Sequence, residues 1–371
     1  MSDQGQLKVR FLDLRVTDPA EHEACIQALK RVMNHGQIIL GPEVKEFERE
    51  ISSHCAGNRV VGVSSGTDAL YLALRALDIG FGDEVITTSL SWIATANTIA
   101  LTGARPVFAD IGEDLNIDPQ SIAPLVNDRT KAILPVHYTG RVCDMTQIGE
   151  LAQRWGLHVI EDCAQAFGAS QGGRPVGTFG DFGCFSMNCM KPLAALGEAG
   201  AITISNDKLY ERVVRLRYAG TVDRETCVEP SLNCRLDTVQ AAFLLERLRN
   251  YGRILARRRE IAARYTTALA GVVKCPLVAD YQEHVFYTYT IQAESRDALK
   301  QYLMARGIEC KIQHPILMPE QPAYRSVIAS LPPNAVRLRD RILSIPANEK
   351  LTDSEVDYVA GSILSFYESG G

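Results

Sequence analysis

Residues 60–79 read VVGVSSGTDALYLALRALDI. A β-branched run, VVGVSS, leads through a small-residue turn into TDALYLALRALDI, whose apolar residues recur at the helical period. The same order repeats downstream. DEVITTS (83–89) predicts a strand, WIATANTIALTG (92–103) a helix, RPVFADI (105–111) a strand, PQSIAPLV (119–126) a helix and KAILPVHYT (131–139) a strand. MTQIGELAQRWG (145–156) follows as a helix, and HVIEDCA (158–164), FGCFSM (182–187) and GAITISN (200–206) as strands. Such alternation builds a largely parallel sheet covered by helices on both faces. The last three strands lie close together in the chain, which predicts an antiparallel part at the sheet edge. The expectation from about Val60 to Ile204 is a doubly wound α/β domain.

Two helices, around Ala20–Met33 and Glu43–His54, are expected to arm this domain from its N-terminal side. Beyond Asn233 the pattern changes. LDTVQAAFLLERLRNYGRILARRREIAARYTTAL (236–269) predicts a long basic helical stretch with a bend at Gly252. Then come a strand, HVFYTYTIQ (284–292), and a helix, SRDALKQYLMARG (295–307). A Pro-rich loop at His314-Pro315 and Pro319 to Pro322 precedes a final amphipathic helix, DSEVDYVAGSILSFYES (353–369). This reads as a smaller α+β C-terminal domain, with the division placed at residues 1–250 and 251–371.

The chain of 371 residues is long enough to bury a sizeable core without disulfide or metal staples. Apolar residues at 46% and charged residues at 22% exclude a disordered, collagenous or coiled-coil chain. Basic residues number 39 and acidic 44, a net charge of -5 with no basic stripe, so nucleic acid is not an expected partner. The start, MSDQGQLKVRFLDLRV, has no apolar run of signal-peptide type, and no stretch is long enough to span a membrane. The ten cysteines are irregularly spaced with no C-x-x-C pair, a pattern that suits neither zinc nor a thioredoxin-type site. Free thiols in a reducing cytoplasm, and no metal, are expected.

Three segments carry chemistry. Lys191 stands in CFSMNCMKPLAALGEAGAI (184–202), an apolar, small-residue stretch with no other base. Desolvation there favours the neutral amine, the form that Schiff-base formation needs. A lysine snorkelling from a loop is the alternative. HVIEDCAQAFGA (158–169) ends a strand in Glu161-Asp162, at the carboxyl edge where open α/β sheets bind ligands. A buried Asp162 there can pair with a protonated pyridine nitrogen, as can a cap or metal ligand occupy the same place. In VSSGTDALYLAL (63–74), free amides at a helix start attract phosphate and Gly66 permits close approach, unless Asp68 is only a helix cap. Neither the Walker loop nor the dinucleotide-binding glycine pattern is present.

With these segments in this order, the chain resembles the DegT/StrS-type aminotransferases of amino-sugar and aminocyclitol biosynthesis, which have the aspartate-aminotransferase fold. The likeness runs through GQIILGPEVKEFE (36–48), SSGTDALYLAL (64–74), GDEVITTSLSWIATANTI (82–99) and PVFADIGEDLNIDP (106–119). It continues through VIEDCAQAFGA (159–169), VGTFGDFGCFS (176–186), the Lys191 segment, LNCRLDTVQAA (232–242) and SIPANEKLTDSEVDYV (344–359). The resemblance implies pyridoxal 5'-phosphate as cofactor. Lys191 matches the lysine that forms the Schiff base and later shuttles the proton, and Asp162 the pyridinium partner. Gln165 matches the residue near the cofactor's phenolic oxygen, and Trp92 the aromatic stacked on its ring. Gly66, Thr67 and Ser186 match phosphate contacts, and Asn233 a phosphate ligand from the neighbouring subunit, which implies a homodimer. Trp92 as core packing and Asn233 as a helix cap are the plain alternatives. His137, His284 and His314 stand as substrate-side candidates.

The chain departs from the family at the lysine. Asn188 stands three residues before it where many members have His, and Glu198-Ala199-Gly200 replaces a common Gly pair. The expected function is transfer of an amino group from glutamate or glutamine to a keto-sugar, nucleotide-linked, by a cytoplasmic transaminase. Kept beside it are a keto-inositol or octulosonate-type acceptor and a non-catalytic sugar-binding regulator of the same fold. A sugar dehydratase of this fold is disfavoured, since those relatives replace the lysine with His.

Overall fold

The computed structural model describes residues 7–327 and 330–370. Residues 1–6, 328, 329 and 371, at the ends of the two expected domains and within the second, lie outside the described residues.

Seven strands form the main sheet: β1 (Arg59–Val63), β2 (Glu84–Thr88), β3 (Arg105–Ala109), β4 (Thr130–Leu134) and β5 (His158–Asp162), then β8 (Phe182–Ser186) and β9 (Gly200–Ile204). Between β5 and β8 the short β6 (Ser170–Gln171) and β7 (Arg174–Pro175) form a hairpin, to which β10 (Gln282–Glu283) adds a third strand. The order across the main sheet is β1-β9-β8-β5-β4-β2-β3. Every neighbouring pair is parallel except the two made by β9. The antiparallel element expected at the edge is therefore one strand inside it, with β1 outermost. Since only β9 is reversed, β1, β2, β4, β5 and β8 all end at the same edge.

Helices cover both faces, as a doubly wound sheet requires. They are α1 (Pro19–His35), α2 (Pro42–His54), α3 (Gly66–Ala76), α4 (Ala94–Leu101), α5 (Met145–Trp155), α6 (Asp207–Arg217) and α7 (Thr238–Leu248). Leu70, Leu72 and Leu74 of α3 and Val213 and Leu216 of α6 bury against one face, with Val61, Val63, Ile160, Phe182 and Cys184 from the strands. Phe47 and Ile51 of α2, Ile148 of α5 and Leu244 of α7 bury against the other, with Val60, Val159 and Phe185. The side-chain period of two explains this division. In β5 it sends Val159 and Glu161 one way, and Ile160 and Asp162 the other.

PQSIAPLV is not a helix. It forms two 3-10 turns, Pro119–Ser121 and Ala123–Leu125, because Pro124 supplies no N–H and its ring obstructs a continuing helix. The basic helical stretch breaks at Arg249-Asn250, two residues before the expected bend, and continues as α8 (Tyr251–Leu269). The second core gathers α8, α9 (Arg296–Ala305) and α11 (Asp353–Glu368) around the antiparallel pair β11 (Tyr289–Gln292) and β12 (Ile342–Ile345). Val9 joins it from the N-terminal segment. The short α10 (Pro333–Arg339) precedes β12. The strand predicted over 284–292 begins only at Tyr289, since Phe286 has φ 48 and interrupts extended backbone.

Candidate active site

β1 and β8 end on either side of β9, so the turn after Val63 and the end of β8 are brought together. Ser65 caps α3: its Oγ accepts from the amide of Asp68 at 3.0 Å. Asp68 is thus not the cap; its carboxylate accepts from the Ser64 hydroxyl at 2.5 Å and the Ser65 hydroxyl at 2.9 Å. The amides of Gly66 and Thr67, in the first turn, have no intrahelical acceptor and carry the positive end of the helix dipole. Gly66 is buried, and a Cβ there would stand 2.6 Å from Ser186 Cβ. Thr67 is exposed and Ser186 half-buried at the same edge.

Asp162 closes β5, the strand paired directly with β8, and is only 4% exposed. Its Oδ1 accepts from the amide of Ala164 at 3.1 Å and its Oδ2 from the hydroxyl of Thr95 at 2.9 Å. Burial pushes this carboxyl up, while those two hydrogen bonds and the charge of Lys191 work the other way. The preceding Glu161, on the opposite face, belongs to the scaffold. It accepts from the amides of Gly177 at 2.8 Å, Phe179 at 2.7 Å and Gly180 at 2.9 Å.

Lys191 sits on the loop between β8 and β9. A short ladder closes that loop: Met187 N donates to Ala199 O at 2.8 Å and Cys189 N to Gly197 O at 2.9 Å. The Asn188 side chain adds a clasp, accepting from Met190 N at 2.9 Å and donating to Glu198 Oε1 at 2.5 Å. The apolar setting expected around the lysine is met in part. Lys191 is half-buried, and its Nζ stands over the ring of Tyr287, 4.5 Å from the centroid.

Trp92 is 62% exposed, so it is not a core aromatic. It lies just before α4, and its ring is 6.0 Å from that of His314, which is also 5.7 Å from Tyr138. His314 is pushed down to about 4 by burial, with the Lys191 charge adding to it. Gln165 is buried, and its Oε1 accepts from the amide of Thr139 at 2.7 Å, leaving the Nε2 hydrogens to donate. Asn233 is exposed and its Oδ1 accepts from Arg235 Nε at 2.6 Å. It does not cap the following helix, which starts after Asp237.

Of the histidines proposed for the substrate side, only His314 comes near this edge's lysine. His137 is fully buried: Cys143 N donates to its Nδ1 at 3.1 Å, which leaves the ring hydrogen on Nε2, 3.0 Å from Glu161. The donor atoms of His137, Glu161 and Cys163 lie within 4.8 Å of one another. The hydrogen bonds already made to Glu161 account for that cluster as a clamp on the loop before β8. His284 stacks on Phe286 with centroids 4.0 Å apart, accepts from the Phe286 amide at 2.8 Å, and is pushed down to about 3 by burial. Thr95 and Tyr287 were missed from sequence. Thr95 is one helical turn past Trp92, a spacing that does carry a signal; nothing local marks Tyr287.

A doubly wound sheet with a free-amide helix start, a buried aspartate and a loop lysine at its carboxyl edge defines a ligand-binding α/β enzyme site. Residues 19–364 match the DegT/DnrJ/EryC1/StrS aminotransferase family. The chain belongs to that family. It is 38% identical over 357 residues to the dTDP-3-amino-3,6-dideoxy-alpha-D-galactopyranose transaminase of Aneurinibacillus thermoaerophilus, covering 96% of this chain and 98% of the relative. It is 36% identical over 368 residues to a pleiotropic regulatory protein of Geobacillus stearothermophilus, covering 97% and 99%. Among solved structures, S. venezuelae DesV with a ketimine intermediate superposes with TM-score 0.94 at 36% identity, covering 97% of this chain and 99% of that one. Bacillus subtilis NtdA with bound PMP superposes with TM-score 0.92 at 29% identity, covering 99% and 87%. Among the described residues, no helix is long and apolar enough to cross a membrane, and all ten cysteines are free.

Proposed function

We propose that this chain is a pyridoxal 5'-phosphate-dependent aminotransferase that moves an amino group from glutamate or glutamine onto a keto-sugar carried on a nucleotide, in amino-sugar biosynthesis. The observation that carries it is Lys191 on the loop after β8, near enough for its charge to act on the buried Asp162 at the end of the neighbouring β5, beside the Gly66–Ser186 contact. A regulator that only binds sugar has no need of that lysine–aspartate pair. The transaminase relative above is named for a dTDP-linked amino sugar, which supports the nucleotide-linked acceptor over a keto-inositol or octulosonate.

The residues fit the cofactor. The free amides of Gly66 and Thr67, with the Ser186 hydroxyl, suit its phosphate. Asp162 suits the pyridine nitrogen, Gln165 Nε2 the phenolic oxygen, and the exposed Trp92 indole one face of the ring. When bound, the cofactor supplies the electron sink for the carbanion left at a substrate carbon. Lys191 would hold the cofactor at its carbonyl carbon and, once the donor's amino group has displaced it and freed its amine, would take and return the proton at that substrate carbon. Asp162 keeps the proton on the ring nitrogen, which the sink requires.

Asn233 is assigned to the phosphate of a second subunit, which makes the working form a homodimer. Its outward side chain and the exposed Ile38, Ile39 and Leu232 on neighbouring segments support that reading. The cytoplasm is the proposed location, and the chain is divided into a cofactor-binding part to residue 250 and a smaller part from 251. A screen of glutamate and glutamine against a panel of free and nucleotide-linked keto-sugars tests the assignment. Amination of a nucleotide-linked member is expected; turnover of keto-inositols or sugar acids alone would contradict it.

A further inference from the structure

We propose that Thr95 is a positioning residue whose hydroxyl keeps the Asp162 carboxylate ionised and turned toward the cofactor's ring nitrogen; this rests on the cofactor reading above. The two side chains belong to different elements, the first turn of α4 and the end of β5, and are 1% and 4% exposed. Their 2.9 Å hydrogen bond is therefore made away from water. A hydroxyl has a single hydrogen, and Thr95 spends it on Oδ2 while Ala164 N holds Oδ1. One donor on each oxygen fixes the plane of the carboxylate, and each oxygen retains a second acceptor site.

The hydroxyl also acts on charge. Burial opposes ionisation of Asp162, and a donor to the charged form offsets it. Thr95 has a further tie: its amide donates to Trp92 O at 3.2 Å. One helical turn thus fixes both the residue that orients Asp162 and the backbone of the exposed indole. A purely structural Thr95 would need only its volume, which valine supplies.

The test compares Thr95→Val, which removes the hydroxyl and keeps the shape, with Thr95→Ser, which keeps the hydroxyl. Each protein is loaded with pyridoxal phosphate labelled with 15N in the ring, and the nitrogen shift is followed from pH 6 to 9. Wild type and Thr95→Ser are expected to hold a protonated ring nitrogen throughout. Thr95→Val should show it losing its proton within that range, with the donor half-reaction slowed about 10- to 100-fold. Thr95→Ala, also without the hydroxyl, serves if the valine variant does not fold. A protonated nitrogen in the hydroxyl-less variant, or a Thr95→Ser as impaired as Thr95→Val, would overturn the role of Thr95 alone. A wild-type chain that takes up no cofactor would overturn the functional reading and this proposal with it.

Discussion

Gly66 and Ser186 touch with no space for another carbon: a Cβ on residue 66 would stand 2.6 Å from Ser186 Cβ and 3.0 Å from its Cα. The contact joins the start of α3 to the end of β8, where the phosphate cradle is proposed. Gly66→Ala must push Ser186 and the helix start apart, at a cost of about 1–3 kcal/mol. Titration with pyridoxal phosphate should show affinity weakened at least about 10-fold. Gly149→Ala in α5, where nothing lies within 4 Å, is the control and should leave cofactor affinity unchanged.

Asp162→Asn keeps the shape of the side chain and removes its charge. The cofactor should still bind, but the donor half-reaction, read by absorbance in rapid mixing, should slow at least about 100-fold. Near-normal rates would mean that another group protonates the ring.

The partner-subunit role of Asn233 makes a prediction about mixed dimers. Lys191→Ala and Asn233→Ala chains should each be nearly inactive alone. Co-expressed, they form dimers in which one site collects both defects and the other neither, so activity should return in part. No restoration beyond the two separate mutants would place Asn233 in its own subunit's site or outside any site.

His158 and Asp181, 3.1 Å apart, predict a pH dependence of stability. The hydrogen bond to Asp181 raises His158 above its ordinary 6.5. Burial pushes Asp181 up, but the hydrogen bonds from His158 and the Val159 amide bring it below 3.8 overall. The raised histidine stabilises fully below 6.5, and that part is lost as pH rises through its folded value. The lowered aspartate stabilises above 3.8, and its part is lost as pH falls. Thermal melts should therefore show the pair's contribution greatest between about pH 4 and 6.5. The fall from pH 6 to 8 should be shallower in His158→Gln.

Much of this was legible in the chain, for reasons that differ by residue. Strand–helix alternation announces the sheet because parallel strands need crossovers, and α3 is plain in its leucine spacing. Pro119 and Pro124 show where periodicity misleads: PQSIAPLV has helical spacing, but its prolines permit only short turns. The position of Asp162 at the end of a strand was readable, and β5 does end there. That Glu161 is scaffold and not site follows from alternation about β5, once the loop amides that occupy it are seen. Tyr287 was invisible because its contact with Lys191 crosses 96 residues of chain (287 less 191). The turn carrying it is held by Arg258, which donates to Phe286 O at 3.0 Å and pairs with Glu349 at 2.7 Å. No local pattern encodes such a brace.

On the proposed function, Lys191 is the residue that holds the cofactor. The direct measurement is incubation of the purified protein with pyridoxal phosphate, borohydride reduction and peptide mapping by mass spectrometry. One phosphopyridoxyl group per chain is expected, on Lys191, and none in Lys191→Ala. A label on other lysines only, or no label at saturating cofactor, would contradict it.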